Sequence, residues 1–398
     1  MMDFLMEARS IKDTVVAHRR ALHRCAEVGF ELKNTVAYVK QALEKLGIEA
    51  QDCGRSGVVC TIGQGERTFL LRADMDALPI VEKAGQEFDS VNGCMHACGH
   101  DIHTAMLLGA AEILKSHEKD LPGRVKCMFQ PAEEMLMGAR DMLENGVLQE
   151  PAPEAGMMVH VMTGVPLPAG TVITAAPGVS APAASMFEIR IQGRGGHGAS
   201  PEGTVDPLPA AAHTMLALQS IKARELPAQS GAMLTIGAIM GGEAPNVIAD
   251  HVLLRGSLRA YSEKEHAFLC ERAREIAEMT AGVFGATATF QVTSSAPTLL
   301  NAAEMVQLAE RELSRILGEE KVKTAADMGG ARSSGSEDFA CISHEIPTVM
   351  LALAAGDARE GYVHGLHHPA TRFDEGALPY GVAAMTGLAV RYLEDRHA

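Results

Sequence analysis

Between residues 184 and 293 the signals run strand, helix, strand, strand, helix, strand, and this constrains the fold more than any other feature of the sequence. The pattern places strands at 184–192, 232–240, 251–261 and 286–293, with helices at 206–223 and 263–283. A β-α-β-β-α-β unit closes into a ferredoxin-like split that is complete in itself, so an inserted α+β domain is expected at 182–293. Upstream the rhythm is simpler. Helices are expected at 3–25 and 34–46, strands at 58–62 and 68–73, a helix at 101–116, a strand at 125–130, a helix at 136–145 and a strand at 157–162. This alternation implies an α/β fold, a mostly parallel sheet covered by helices. Residues 294–398 return to it and end in an amphipathic helix near 378–394, so they should rejoin residues 1–181 around the insertion. The 398 residues also exceed the roughly 250 to 300 at which a single core stops growing.

Composition removes several classes of function. A net charge of -15 disfavours a phosphate backbone as partner, so no nucleic acid is expected. The N-terminus carries Asp3, Glu7, Arg9, Lys12, Asp13 and Arg19 where a signal peptide needs an apolar run, which points to the cytoplasm. Pro166, Pro168, Pro177 and Pro182 interrupt the most apolar segment, so no membrane anchor is expected. The eight cysteines are scattered without a disulfide framework, as in a reducing compartment.

Chemistry concentrates in a few loops. Residues 95–103 hold His96, Cys98, His100, Asp101 and His103, and Gly99 lets a sharp turn aim the Cys98 sulfur and the His100 imidazole at one point. The bland alternative is a buried cysteine beside a capping histidine. Glu133 and Glu134 follow a strand on a loop at the sheet's carboxyl edge, where adjacent carboxylates can diverge, one toward metal and one toward proton transfer. His160 interrupts the apolar run 157–161, either as a satisfied core histidine or as a ligand, and His364, His367 and His368 form a second histidine-rich loop. Gly193, Gly195 and Gly198 satisfy a dinucleotide-binding spacing, but Pro201, Gly203, Pro207 and Pro209 prevent the helix that such a loop must open until about residue 208.

Taken together, Arg72-Ala73-Asp74-Met75-Asp76-Ala77-Leu78-Pro79, Met95-His96-Ala97-Cys98-Gly99-His100-Asp101, Pro131-Ala132-Glu133-Glu134, Gly195-Gly196-His197-Gly198-Ala199, Asn246-Val247-Ile248, Ser336-Glu337-Asp338-Phe339 and Leu366-His367-His368-Pro369 resemble, in order and spacing, the aminoacylase and carboxypeptidase metallohydrolases. The resemblance spans nearly the whole chain and is closest to the amidohydrolase branch of hippurate hydrolase, N-acyl amino acid aminoacylases and auxin-conjugate hydrolases. It implies two divalent ions per subunit, manganese, zinc, nickel or cobalt, held by Cys98, His100, Glu134, His160 and His367 with Cys98 shared. It further implies Glu133 as general base toward a metal-activated water, and Asp74, Asp76 and Asp101 behind the ligands, orienting them. The wider superfamily has a histidine ligand where this chain has Asp74, and a small or polar residue where it has His368.

The inserted domain is implied to be a lid or dimerisation domain. His197 is its expected donor to the tetrahedral oxyanion, in its own subunit or across a homo-oligomer interface, and Asn246 and Arg259 would bind the leaving group's carboxylate. The resulting expectation is a two-metal amidohydrolase acting on a small-molecule N-acyl amino acid. Its rivals are a carboxypeptidase or dipeptidase on the same scaffold, a hydrolase with Cys98 as nucleophile beside His100 or His103, and a metal-binding protein without catalysis.

Overall fold

In the computed structural model, which describes residues 3–330 and 332–395, the strand Thr68–Asp74 is buried at every position. Residues 1–2, 331 and 396–398, including the outer ends of the expected segments 1–181 and 294–398, lie outside the described residues. A strand buried on both faces belongs in the middle of a helix-covered sheet. The eight-stranded sheet runs in the order Ala50–Cys53, Gly57–Gly63, Arg124–Gln130, Thr68–Asp74, Ala155–Met162, Thr348–Ala354, Val172–Thr174, Val322–Thr324. Neighbours from Arg124–Gln130 to Thr348–Ala354 pair in parallel, and antiparallel pairs occur toward the edges. The parallel register sets Asp74 opposite Gln130, so the loops carrying Asp76 and Glu133 leave the sheet side by side.

The helix His100–Ser116 packs on this sheet between Lys12–Arg24 and Leu378–Glu394. A Cβ at Gly109 would stand 2.7 Å from Val15 and 3.0 Å from Val382, so only glycine lets the three helices approach. Two local expectations need correction. The N-terminal helix is two helices, Phe4–Ser10 and Lys12–Arg24, meeting at Ile11. Leu378–Glu394 is not amphipathic in place: it is buried nearly all round, because it packs on other helices and on the sheet together.

The chain divides into two compact units, one of Met1–Ser180, Leu300–Arg332 and Asp338–Ala398, the other of Ala181–Leu299 and Ser333–Glu337. The second has its own four-stranded antiparallel sheet, ordered Met233–Met240, His251–Ala260, Ala183–Gln192, Thr287–Ala296, the ferredoxin-like arrangement. Its helices Pro207–Ser220 and Glu263–Val283 are capped by Asp206, which accepts from Leu208 N–H, and by Ser262, which accepts from Glu265 N–H. Phe187, Ile189, Leu254, Leu258, Leu269 and Ala277 fill its separate core. A short ribbon pairs Gly196–His197 with Val247–Ile248. Among the described residues no helix is long and apolar enough to cross a membrane.

Candidate metal centre

Gly99, with φ 88°, ends the approach loop and starts the helix His100–Ser116. A Cβ there would lie 2.4 Å from Val161, so the turn needs glycine for both its backbone conformation and its space. The turn presents the Cys98 sulfur 3.5 Å from His160 Nε2. The second histidine loop is pinned to the same place, since His367 N–H donates to the Ala97 carbonyl at 2.9 Å and His367 itself sits at φ 63°. The carboxylate loop folds back tightly, with Ala132 at φ 52° and Leu136 at φ 54°. Asp76 holds it there by accepting the Glu133 and Glu134 N–H groups at 3.0 and 3.2 Å.

These elements bring Cys98, His100, Glu133, Glu134, His160 and His367 together in the first unit. The donor atoms of Cys98, His100 and His160 lie within 4.8 Å of one another, and so do those of Cys98, Glu134 and His367, which makes two donor sets sharing the sulfur. Histidine orientation favours ligation. His100 donates from Nδ1 to the Asp76 carbonyl at 2.8 Å and His160 from Nδ1 to the Val161 carbonyl at 2.7 Å, so each turns Nε2 into the cluster. His100 Nε2 and Glu134 Oε1 are buried and complete no hydrogen bond among the described residues, although Glu134 Oε1 stands 3.3 Å from His367 Nε2. Buried polar atoms without a partner are costly, and one thiolate, three imidazoles and a carboxylate suit borderline divalent ions. The residues therefore fit a divalent pair.

Electrostatics agree. Burial pushes the Cys98 thiol up, but His160 and His100 beside it hold it down at about 6, so sulfur is largely thiolate near neutrality. Contacts with Cys98 and Glu134 push His367 up to about 10. Burial opposes charge on His100, yet Asp74 and Cys98 raise it well above the usual imidazole range. The anionic sulfur and carboxylates thus keep protons on the neighbouring imidazoles, where a cation could sit.

Other expected residues fall elsewhere. Asp74 is spoken for by Arg72 Nη1 at 2.7 Å and His103 Nδ1 at 2.6 Å, and stands 3.7 Å from His100 Nε2. His103 also accepts Val161 N–H at 2.8 Å, so both its nitrogens are engaged behind the cluster. Asp101 turns away from the donors, its carboxylate facing Arg19 at 3.1 Å and His23 at 2.9 Å. His368 stacks on His364 with centroids 4.0 Å apart. In the second unit, His197 is exposed on the short ribbon and accepts Ala199 N–H on Nδ1 at 3.0 Å, with Asn246 at the end of the partner strand, while Arg259 donates to Ser336 Oγ at 2.7 Å. The helix after the glycine-rich loop opens only at Pro207, as the prolines require.

Sequence reasoning gave no role to Arg72, Gln130 or His23. Arg72 is fully buried, donating to Gln130 Oε1 at 2.8 Å and to Asp74, with Asp338 Oδ1 at 3.3 Å. Asp338 also accepts from Gln130 Nε2 at 2.6 Å and Ala139 N–H at 2.9 Å. An arginine at the end of an apolar strand pattern is the one signal that could have flagged this network.

The sequence pattern of peptidase family M20/M25/M40 matches residues 70–391. The chain belongs to this family. It is a hydrolase acting on amide bonds. It is 37% identical to IAA-amino acid hydrolase ILR1-like 2 of Arabidopsis thaliana, over 96% of this chain and 86% of that one. It is 34% identical to N-acetylcysteine deacetylase of Bacillus subtilis, covering 98% of this chain and 99% of the relative. A solved dinuclear metal binding peptidase of family M20 from Bacillus subtilis superposes with a TM-score of 0.77 at 31% identity, covering 97% and 99% of the two chains.

Proposed function

We propose that this family member hydrolyses the amide bond of N-acyl amino acids, with two divalent ions held by Cys98, His100, Glu134, His160 and His367. The observation that carries the reading is the pair of three-donor sets sharing the Cys98 sulfur. When bound, such ions polarise an amide carbonyl and make water a stronger acid. Glu133 is buried, with Oε2 3.9 Å from His100 Nε2 and its backbone held by Asp76. In this reading its carboxylate takes a proton from the attacking water and delivers it to the departing amine. His197, with Nδ1 occupied as an acceptor, carries its proton on Nε2 and is the donor for the developing oxyanion. Asn246 and Arg259 bind the carboxylate of the leaving amino acid; Asp74 and Asp76 orient the donors. The reading includes a cytoplasmic homodimer formed through the second unit.

Two relatives support an N-acyl substrate by their names, the IAA-amino acid hydrolase and the N-acetylcysteine deacetylase. The solved relative described as a peptidase favours the second reading, a dipeptide or a peptide's C-terminal bond. A panel of N-acetyl amino acids, N-benzoyl amino acids and dipeptides, each assayed with Mn2+, Zn2+, Co2+ and Ni2+, separates them. The expected outcome is a higher kcat/KM for N-acyl amino acids. A higher value for dipeptides moves the assignment to the second reading, and no turnover of any substrate with any metal overturns both.

A further inference from the structure

His23 lies on the helix Lys12–Arg24, far in sequence from every motif of the centre, and it is buried. Both ring nitrogens face carboxylates: Nδ1 is 2.9 Å from Asp101 Oδ2, and Nε2 is 2.9 and 3.0 Å from the two oxygens of Glu82. An imidazole with an acceptor at each nitrogen donates from both, as an imidazolium. Arg19, one turn earlier, adds Nε at 3.1 Å to the same Asp101 oxygen.

The two carboxylates stand on opposite sides of Gly99 in the chain. Asp101 is in the first helical turn, directly after His100. Glu82 lies in the loop that runs up to Cys98 and braces it by accepting Ser90 N–H at 2.8 Å, while Asn92 of that loop donates to the Ala26 carbonyl at 2.7 Å, just past His23. The residue joining the two arms is a glycine in the left-handed region, the backbone least able to hold an angle by itself. We propose that His23 is a positioning residue for the metal centre, bridging Glu82 and Asp101 so that the two arms of the Cys98-Gly99-His100 turn keep the sulfur and imidazole at ligating separation. This rests on the reading of Cys98 and His100 as ligands.

Competition for Zn2+ against a chromophoric chelator, with the full chain, tests the clamp. His23→Gln should weaken Zn2+ binding by about tenfold to a hundredfold, the usual effect of losing a partner that orients ligands. Glu82→Gln keeps the acceptor for Ser90 and should show a smaller loss in the same direction; if His23→Gln does not fold, this variant decides. His18→Asn, on the same helix but bonded to Tyr38, should bind Zn2+ like the unaltered chain. A lowered unfolding temperature of the zinc-free variants with unchanged Zn2+ affinity reveals a merely structural histidine and overturns the clamp. Failure of the unaltered chain to take up Zn2+ is a different result, since it removes the ligand reading itself.

Discussion

Asp76 is where the carboxylate loop is most exposed to a single substitution. Its side chain is buried and accepts the N–H groups of Glu133 and Glu134 at 3.0 and 3.2 Å. Hydrogen bonds to a charged acceptor contribute about 1.5 to 3 kcal/mol each, so the pair is worth roughly 3 to 6 kcal/mol. Against this stands the loop's own strain: Ala132 and Leu136 occupy the left-handed region, which disfavours residues with a Cβ by about 1 to 2 kcal/mol each. With Asp76 the bonds outweigh the strain; in Asp76→Ala only backbone bonds such as Ala132 N–H to the Gly29 carbonyl and Leu136 N–H to the Glu133 carbonyl still oppose it, and the loop loosens, moving Glu133 and Glu134 away from the cluster. If most of the lost interaction is expressed in the transition state, kcat/KM on an N-acetyl amino acid should fall by at least about a hundredfold, since each 1.4 kcal/mol is a factor of ten. Asp76→Asn keeps one acceptor oxygen and should fall between. Metal content and thermal unfolding, measured alongside, show that the rest of the domain is intact. An Asp76→Ala enzyme within about threefold of the unaltered one would refute this balance of strain and tether.

Glu133→Gln keeps the size of the side chain but cannot take a proton, so it should retain metal by elemental analysis and lose most turnover; undiminished kcat would remove Glu133 from proton transfer. Cation binding should also depend on pH in a definite direction. His367, at about 10, and His100, raised well above the usual range, carry protons near neutrality that an ion must displace, so affinity should rise with pH. For one or two protons released the increase is roughly tenfold to a hundredfold per pH unit. Titration calorimetry in buffers of different ionisation enthalpy reads the proton count directly, and identical heats in all buffers would show that neither imidazole gives up a proton.

The second unit was readable because its evidence is local: each change between period two and period 3.6 falls within a few residues, and the sheet order follows from the unit itself. Of the sheet strands that escaped notice, Ala50–Cys53, Val172–Thr174 and Val322–Thr324 are too short to show a period, and Thr348–Ala354 is a nearly continuous apolar run that shows no alternation. Leu378–Glu394 misled for the opposite reason, since a helix packed by neighbours on several sides buries residues that a pattern assigns to solvent. Cys98, His100, Glu133 and His367 stand out by residue type and by motif. The ion pairs behind them do not, because beyond its near neighbour Asp74, Arg72 reaches Asp338, 266 positions away, and His23 reaches Asp101, 78 away, and Glu82, 59 away.

That blindness has a physical reading. Buried ion pairs give little net stability, because the loss of hydration nearly cancels the attraction, so hydrophobicity and charge pattern alone argue against placing Arg72, Asp74, His23 and Asp101 inside. Their value is directional. Arg72 fixes Asp74 and Gln130 at the carboxyl ends of adjacent strands and Asp338 in the loop before the short helix Ala340–Ser343, and Asp74 in turn fixes His103 beneath the cluster. Three ties hold the first five residues of the helix: Asp101 to Arg19 and His23, Thr104 to the Asp74 carbonyl at 2.7 Å, and His100 to the Asp76 carbonyl. A donor cluster rich in negative charge and lacking such ties would spread apart or collapse onto its own protons. Held from several sides by groups that are themselves held, it can keep its donors aimed at common points, which is the property that a site able to exchange protons for cations requires.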